Sequence, residues 1–587
     1  MSLLKVQNLQ VRYPRSDGAV VENLSFSIQK GECLGLVGES GSGKTQTAMA
    51  IMGLLPTNAK IGGSVLIEQT EILGASTATL NQIRARRIAM VFQDPLSALN
   101  PYICIGSQLQ RILLEHKFCP PNEAVQRVLA MLTKVGLPDP DRQFRVFPHQ
   151  LSGGMRQRVM IGAALLGAPD LLIADEPTTA LDVTVQAQVL TLLASIREET
   201  DAALLLITHD LSVVAGHCDR LLVMDRGRLV EEGKTAKIFA SPSSDKMKAL
   251  LAVAPRIDRN APTTQAGDDV VLDARDISVG FKERRLGGHK NLHAVRSTDI
   301  SLRRGETLAI VGESGSGKTS LVRALVGLIP TTGVVSFLGD RLAATVGART
   351  ALQHRNLQMI FQDPLASLNP AMRIVNIVAE PLIVHGENTQ AQATATAMLA
   401  RVGISSEYLY RFPHELSGGQ AQRVAIARAL ILKPAVLICD EAVAALDGTV
   451  QEEILNLLQA EQAQSGVAIV FITHDLAVVR QLGHRVAVMY MGRLCEVADN
   501  DALFSRPRHP YTRALLDAVP VPDPDIQSTH RSLIGEVGSI LSPPSGCPFH
   551  PRCEHAIVMC SDRLPDFREE PFGSVACHRA DELDLGY

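Results

Sequence analysis

VGESGSGKT, residues 37–45, occurs again without change at residues 311–319. Each copy follows a short apolar run and precedes a stretch with helical character, such as KTQTAMAIMGLL at 44–55. The nonapeptide contains G-x-x-x-x-G-K-[ST], in which glycine amides surround phosphate oxygens, the lysine neutralises charge and the hydroxyl joins the Mg²⁺ shell. Each copy therefore predicts a strand, a phosphate loop and a helix whose positive end faces the phosphates. The residues assigned to nucleotide binding are Gly38, Ser40, Gly41, Gly43, Lys44, Thr45, Gly312, Ser314, Gly315, Gly317, Lys318 and Thr319.

The repeat extends well beyond these loops. VFQDPLSALNP at 91–101 returns as IFQDPLASLNP at 360–370, and ITHDLSVV at 207–214 returns as ITHDLAVV at 472–479. The repeat unit is about 265 residues, which is the size of a whole domain, so the chain is a fused pair of homologous domains. The predicted organisation is a first nucleotide-binding domain at 1–254, a linker at 255–270, a second nucleotide-binding domain at 271–521 and a C-terminal extension at 522–587.

The fold class follows from the apolar runs. Stretches such as LLIAD and ALLLIT do not alternate with polar residues, which indicates strands buried on both faces of a sheet. Helical stretches separate them, so each domain is expected to be α/β with a mostly parallel sheet. Segments 95–150 and 364–415 interrupt the alternation and predict a helical subdomain in each half.

Bulk composition excludes several classes of protein. The chain has 587 residues, 46% hydrophobic and 20% charged, with a net charge of -4, which is typical of a globular protein and not of a nucleic-acid-binding one. No apolar run approaches the roughly 18 residues that a membrane span needs, and no leader is recognisable. We therefore expect a cytoplasmic chain that relies on other chains to cross any membrane.

Two carboxylates end an apolar run in each half. Asp175 and Glu176 follow LLIA, and Asp440 and Glu441 follow VLIC. Next to a phosphate loop, the aspartate is expected to hold Mg²⁺ through water and the glutamate to orient and deprotonate the attacking water. The alternative is a solvated acidic strand end.

LSGGM at 151–155 and LSGGQ at 416–420, each followed by a histidine in ITHDL, resemble the signature motifs of ATP-binding cassette ATPases. The resemblance covers essentially the whole chain. It implies two domains facing head to tail, with Lys44 sharing one ATP with Ser417 and Lys318 sharing the other with Ser152. Gly154 and Gly419 belong to the same signatures.

The resemblance also assigns further roles. It implies adenine stacking by Tyr13 and Phe281, Mg²⁺ and membrane-partner sensing by Gln93 and Gln362, dimer-crossing loops at Asp182 and Asp447, and γ-phosphate contacts by His209 and His474. Packing remains the alternative for the two aromatic residues, and a structural role for the two histidines.

The chain departs from the family pattern at two places. Met155 replaces the commoner glutamine of the signature, and Ala442 stands where Pro177 stands in the first half. Neither removes a catalytic group, so both halves are expected to hydrolyse ATP with Mg²⁺.

SRPRHPYTRALLDAVP at 505–520, followed by a cysteine-containing tail, resembles the C-terminal extension of importer ATPases for dipeptides, oligopeptides and nickel. This implies two transmembrane permease subunits and an extracytoplasmic solute-binding protein as partners, no nucleic acid, and a peripheral position at the cytoplasmic face of the inner membrane. A soluble tandem-cassette ATPase that acts on ribosomes or nucleic acid is the alternative.

Four cysteines lie in that tail with the spacing C-x5-C-x6-C-x16-C, namely Cys547, Cys553, Cys560 and Cys577. The cytoplasm disfavours disulfides, and four thiolates suit a [4Fe–4S] cluster, as in similar peptide-importer tails. Zinc with help from nearby histidines, and four unligated thiols, stay open as alternatives.

Overall fold

The structure is a computed structural model that describes residues 2–14, 18–179, 181–254, 256–258, 261–262, 266–285, 288–443, 446, 448–524, 533, 535, 538, 540, 543–570 and 573–586, with the backbone alone at 96, 282–285, 288–291 and 570. The chain divides into two compact units, the first comprising 1–181, 185–254 and 520–529 and the second 182–184, 255–519 and 530–587. None of the described helices combines the length and apolar character needed to span a bilayer.

The first unit contains two sheets. One is antiparallel with strand order β2-β1-β4-β5, and the other has the order β10-β9-β3-β8-β7-β6, parallel except for the β9–β10 pair. All five residues of β3 and of β7 are buried, as their unbroken apolar sequences predict. The strands are β1 (Ser2–Arg12), β2 (Ala19–Gln29), β3 (Cys33–Val37), β4 (Lys60–Ile67), β5 (Thr70–Glu71), β6 (Ile88–Val91), β7 (Leu171–Asp175), β8 (Ala203–Thr208), β9 (Arg220–Asp225) and β10 (Arg228–Lys234).

The helices of the first unit include a subdomain with a core of its own. In the middle of this subdomain Ala124, Val128 and Leu132 recur every four residues on the buried side of one helix, which is the spacing of an amphipathic helix. The helices are α1 (Lys44–Ile51), α2 (Thr77–Ile83), α3 (Pro95–Ala98), α4 (Ile105–Glu115), α5 (Pro121–Lys134), α6 (Pro140–Arg145), α7 (Gly153–Leu165), α8 (Val183–Thr200), α9 (Leu211–His217), α10 (Thr235–Ala240) and α11 (Asp245–Val253).

The second unit repeats this plan and adds strands from the C-terminal extension. Its antiparallel sheet has the order β12-β11-β14-β15, and its larger sheet has the order β16-β17-β18-β13-β19-β20-β22-β21. The strands are β11 (Val270–Arg285), β12 (Gly288–Arg303), β13 (Thr307–Val311), β14 (Thr332–Phe337), β15 (Asp340–Arg341), β16 (Leu357–Ile360), β17 (Val436–Asp440), β18 (Ala468–Ile472), β19 (Arg485–Tyr490), β20 (Arg493–Asp499), β21 (Arg568–Glu570) and β22 (Gly573–Val575).

The helices of the second unit are α12 (Lys318–Leu325), α13 (Ala351–Asn356), α14 (Pro364–Ser367), α15 (Ile374–Val384), α16 (Ala391–Arg401), α17 (Gly418–Leu430), α18 (Gly448–Ser465), α19 (Leu476–Leu482), α20 (Asn500–Ser505), α21 (Pro510–Asp517) and α22 (Val558–Asp562). Short 3₁₀ helices occupy Pro148–Gln150, Val346–Ala348, Ser406–Tyr408, Pro413–Glu415 and His550–Arg552. The α/β class predicted from the apolar runs is confirmed, and both predicted helical segments contain helices.

The parallel strands place the site residues at one edge of each sheet. In the first unit Val37 pairs with Thr208, and Asp175 pairs with Ile207. The carboxyl ends of β3, β7 and β8 therefore lie side by side, at the edge where ligands of open α/β sheets bind.

Candidate functional site

Each phosphate loop connects a buried strand to a helix through a glycine that no other residue could replace without strain. Gly43 precedes α1 with φ 99°, and a Cβ there would lie 2.6 Å from the carbonyl oxygen of Val20. Gly317 precedes α12 with φ 103°, and a Cβ there would lie even closer to the carbonyl oxygen of Ala294. Positive φ and close approach to backbone are the two properties that require glycine. Both loops thus have the left-handed entry that turns their amides inward.

The lysine of each loop curls back over the loop that carries it. Lys44 Nζ donates to the carbonyl oxygens of Gly38 and Glu39 at 2.8 and 2.9 Å. Lys318 does the same at the second loop, and burial lowers the pKa of its ammonium group. The positive charge is therefore held at the mouth of the loop, where phosphate oxygens bind in this motif.

The loop threonine and the strand-end aspartate lie together in both units. Thr45 Oγ1 donates to Asp175 at 3.3 Å, and Thr319 Oγ1 donates to Asp440 at 3.0 Å. Burial raises the pKa of Asp175 to about 6 and also raises the pKa of Asp440.

These hydroxyl and carboxylate pairs fit Mg²⁺. Oδ2 of Asp440 is buried and has no hydrogen-bond partner among the residues that the structure describes. A hard cation prefers oxygen ligands of this kind, and it would remove the electrostatic cost of the buried carboxylate. Thr45 with Asp175 and Thr319 with Asp440 would thus hold Mg²⁺, which supplies charge neutralisation to the phosphates.

The strand-end glutamates have a left-handed backbone. Glu176 has φ 47° and Glu441 has φ 50°, a conformation that is uncommon outside glycine and recurs at functional sites. The Glu176 amide donates to Ile207 at 2.8 Å, and the Glu441 amide donates to Ile472 at 3.0 Å. The turn separates each glutamate from the neighbouring aspartate, so the two carboxylates serve different partners.

In the first unit three side chains surround the Glu176 carboxylate. Gln93 Nε2 donates to Oε2 at 2.8 Å, the Thr179 hydroxyl donates to the same oxygen at 3.0 Å, and His209 Nδ1 lies 3.2 Å from Oε1. Burial favours the neutral acid, but the contacts with His209 and Thr179 and the charge of Lys44 together outweigh it and lower the pKa of Glu176. Burial likewise opposes the charged imidazole, but Glu176 raises the pKa of His209. Glu176 is therefore ionised, as a general base requires.

The second unit has a looser version of this arrangement. Gln362 Nε2 donates to Glu441 at 2.6 Å, whereas His474 Nδ1 lies 3.9 Å from the carboxylate. His474 lowers the pKa of Glu441, and Glu441 raises the pKa of His474 against the effect of burial. The counterpart of Thr179 in the sequence is Ala444, which has no hydroxyl.

The signature serines begin helices. Ser152 is the N-cap of α7 and accepts from the amide of Met155 at 3.2 Å, and Ser417 is the N-cap of α17 and accepts from the amide of Gln420 at 3.3 Å. Only at the second signature is the cap reciprocal, since Gln420 Oε1 accepts from the Ser417 amide at 3.0 Å. Gly154 and Gly419 lie in the first turns of these helices. Both helices present N-terminal amides of the kind that bind anions.

The remaining predicted nucleotide contacts are less uniform. The Tyr13 hydroxyl donates to Gln46 at 2.5 Å, and its ring packs on the core of the first unit, whereas Phe281 is 41% exposed on β11. Asp182 accepts from the Thr184 hydroxyl at 2.7 Å. Asp447 lies outside the described residues, so its predicted role stays a prediction.

The four tail cysteines line a single small cavity of about 20 Å³. Cys577 follows strand β22 and is held next to the cavity because the amide of its neighbour Ala576 donates to the Cys495 carbonyl. Cys547 and Cys560 are joined directly, since the Cys547 amide donates to the Cys560 carbonyl at 2.8 Å. Burial and the neighbouring thiols raise the pKa of Cys547 and of Cys553 to about 11. Within the described part of the chain, no three His, Cys, Asp or Glu side chains are arranged to hold a metal ion.

Sequence reasoning missed two features. Thr179 could have been found by aligning the two halves, because the change to Ala444 is visible there. Arg552, which contacts Glu313 of the second phosphate loop at 2.6 Å, could not, because 239 residues separate the two. The sequence gives no signal for such a pair.

Comparisons with known proteins agree with this geometry. The family described as ABC transporter matches residues 21–179 and 295–444, and the family described as oligopeptide/dipeptide transporter, C-terminal region, matches residues 495–560. Both matches confirm the resemblances inferred from the phosphate loops, signatures and tail.

Relatives match along nearly the whole chain. The glutathione import ATP-binding protein GsiA of Escherichia coli O157:H7 is 41% identical over 91% of this chain and 92% of that protein. GsiA of Pectobacterium atrosepticum is 42% identical over 92% of this chain and 93% of that protein. A solved structure, cbiO1 of Clostridium perfringens, is 28% identical over 41% of this chain and 91% of that one, with a TM-score of 0.36.

The two family matches and the GsiA relatives together extend over both cassettes and the tail, and they do not favour the alternative of a ribosome- or nucleic-acid-directed ATPase. The chain is an ATPase with two cassettes fused in tandem. It belongs to the ABC transporter family of ATP-binding proteins, in the importer branch that carries the oligopeptide/dipeptide transporter C-terminal region.

Proposed function

We propose that this chain hydrolyses ATP to power the import of glutathione or similarly short peptides across the bacterial cytoplasmic membrane. The observation that carries the proposal is the extent of the match to glutathione import ATP-binding proteins, which covers 91% of this chain at 41% identity. The chain acts at the cytoplasmic face of the membrane, with two permease subunits and an extracytoplasmic solute-binding protein. Solute selectivity lies in those partners.

Within each unit the described residues perform separate parts of the reaction. Lys44 and Lys318 bind the β- and γ-phosphates. Glu176 and Glu441 accept a proton from the attacking water, while His209 and His474 hold these carboxylates and contact the γ-phosphate.

The residues around these groups complete nucleotide binding. We assign Mg²⁺ to the loop threonines with Asp175, Asp440, Gln93 and Gln362, and γ-phosphate contacts to Ser152 and Ser417. Tyr13 and Phe281 are assigned to the adenine.

The decisive experiment is reconstitution of the chain with its permeases and binding protein in proteoliposomes. Stimulation of ATP hydrolysis and uptake of labelled solute are compared for glutathione, a dipeptide, a longer peptide and a nickel complex. Glutathione or the dipeptide should stimulate both activities. Stimulation by the nickel complex alone would contradict the peptide assignment. A chain with both Glu176→Gln and Glu441→Gln is the matched control, because it should bind ATP without transport.

We also propose that the cysteine pocket, defined as Cys547, Cys553, Cys560 and Cys577, holds a [4Fe–4S] cluster. Support comes from the shared cavity and from the donor set, since four soft thiolates are the usual ligands of such clusters. The cluster would supply a structural cross-link or a redox-sensitive centre. Zinc is the competing occupant of the same four thiols.

Metal content decides between these occupants. The chain is purified without oxygen, its visible absorbance is recorded, and iron, sulfide and zinc are assayed beside Cys553→Ser. About four irons per chain, absent from the variant, is the expected result. One zinc per chain, or no metal, would overturn the cluster assignment. Cys104→Ser is the matched control, because Cys104 belongs to the first unit and lies outside the pocket.

A further inference from the structure

A buried arginine of the C-terminal extension holds the second phosphate loop. Arg552 Nη1 lies 2.6 Å from Oε2 of Glu313, and Nη2 lies 2.9 Å from Oε1. The side chains of Arg552 and Glu313 are only 5% and 2% exposed. Two parallel charge-assisted hydrogen bonds between planar groups fix orientation as well as distance.

Glu313 is fixed through its backbone as well. Its carbonyl oxygen accepts from Lys318 Nζ at 3.0 Å and from the Ser316 amide at 3.1 Å, and its amide donates to the Tyr511 hydroxyl at 2.9 Å. Glu313 therefore contacts Arg552 through its carboxylate and the loop lysine, Lys318, through its carbonyl oxygen. A displacement of Glu313 would move Lys318 and the loop amides together.

The segment that carries Arg552 is anchored next to this loop by aromatic packing. Phe549 is buried, and its ring centroid lies 5.4 Å from that of Tyr490 and 5.3 Å from that of Tyr511. Arg552 also donates to the Tyr490 hydroxyl at 3.3 Å. Since Cys547 and Cys553 flank this segment, one short stretch of chain belongs both to the cysteine pocket and to the support of the phosphate loop.

The first unit supports its equivalent glutamate differently. Glu39 pairs with Lys246 Nζ at 2.6 Å, and these side chains are 33% and 19% exposed. An ammonium group is a compact charge without the fork of a guanidinium, and a partly exposed pair contributes less. The two phosphate loops share one sequence but differ in the group that pairs with the loop glutamate, which is Lys246 for Glu39 and Arg552 for Glu313.

We propose that Arg552 is a positioning residue for the second ATP site. It holds Glu313 so that the loop from Gly312 to Lys318 keeps its phosphate-binding form, and it makes the cysteine-containing extension part of the support of that site. The inference rests on ATP binding by this loop, which the family match establishes independently of the solute or of any metal in the pocket.

The test measures ATP affinity of the full chain by calorimetry, with Lys44→Ala present to silence the first loop and Glu441→Gln present to prevent turnover. Arg552→Ala should weaken binding at the second loop by about tenfold or more, the scale of a hydrogen bond between charged groups. Arg552→Lys keeps the charge without the bidentate contact. Its ATP affinity should lie between that of the chain with Arg552 intact and that of Arg552→Ala. Arg568→Ala, a solvent-exposed arginine of the same extension, is the matched control and should change nothing.

The paired variant Glu313→Met with Arg552→Met separates positioning from a purely structural role. If Arg552 were only structural, thermal stability and ATP affinity would recover together in this variant. Apolar replacements of both partners of a buried ion pair often preserve stability. In the paired variant we expect the thermal unfolding temperature to recover relative to Arg552→Ala, while ATP affinity stays reduced. Recovery of both would overturn the proposal, as would unchanged affinity in Arg552→Lys. If Arg552→Ala fails to fold, reduced ATP affinity in Arg552→Lys is sufficient to support the proposal.

Discussion

His209 Nδ1 lies 3.2 Å from Oε1 of Glu176, on the carboxylate that Gln93 and Thr179 also contact. The corresponding nitrogen of His474 lies 3.9 Å from Glu441. Two sites with the same catalytic residue types therefore differ in how tightly the general base is held. This difference was not evident from the motifs, which have ITHDL in both halves.

The first prediction concerns turnover. Glu176→Gln and Glu441→Gln should each bind ATP normally, because the lysine and the loop amides are untouched. Each should lose the activity of its own site by about 10²-fold or more, since the general base is removed. Steady-state ATPase assays and equilibrium ATP binding measure the two effects. Near-normal ATPase activity in the double variant would refute the assignment of both glutamates.

The second prediction is a pH dependence of the His209–Glu176 pair. The pKa of His209 is raised above its ordinary 6.5, so the pair's stabilisation is present below that pH and is lost as pH rises through the raised value. The pKa of Glu176 is lowered from 4.5, so the stabilisation is lost again as pH falls through that lowered value. The pair should stabilise the nucleotide-free chain most between pH 4.5 and pH 6.5.

Comparison of the wild type with Glu176→Gln tests this window. The difference in thermal unfolding temperature should be largest within it and should shrink at alkaline pH. Histidine NMR should show a lower pKa of His209 in Glu176→Gln. Glu441→Gln serves as control, because it removes the partner of His474 and should leave the His209 titration unchanged. A wild-type His209 titration in Glu176→Gln would show that the contact has no electrostatic effect.

The third prediction tests the threonine that sequence reasoning missed. Thr179→Ala removes a hydrogen bond to Oε2 of Glu176, and one such bond is worth about 1 kcal/mol, or roughly fivefold in rate if it is made in the transition state. ATPase activity in a Glu441→Gln background should fall by that factor. Thr179→Ser keeps the hydroxyl and should retain most of the rate. Equal losses in both variants would point to packing of the threonine methyl group instead.

The fourth prediction concerns the first signature. Met155 cannot return the hydrogen bond that Gln420 gives to Ser417, so the cap of α7 is one-sided. Met155→Gln should complete the capping box and stabilise the first turn by about 0.5 kcal/mol. Hydrogen exchange of the amides at the start of α7 should slow about twofold on this free-energy scale. Gln420→Met is the mirrored control and should speed exchange at the start of α17; unchanged exchange in both variants would refute the argument.

Much of the site could be predicted from the sequence because its parts are local. A phosphate loop is nine consecutive residues whose glycines, lysine and hydroxyl act together, and Gly43 and Gly317 adopt the positive φ that such a loop requires. Asp175 and Glu176 are adjacent at a strand end. The parallel pairing of β3, β8 and β7 agrees with their buried, non-alternating sequences, whereas their order in the sheet is seen only in the structure.

By itself, then, the sequence determined the two cassettes, their α/β class and the residue types of the ATP sites, because these depend on contiguous motifs and hydrophobic patterns. Only the tertiary structure decided that His474 lies farther from its glutamate than His209 does, and that Arg552 buries its guanidinium against Glu313. Such pairings depend on side-chain packing between segments up to 239 residues apart, and neither spacing nor composition encodes them locally.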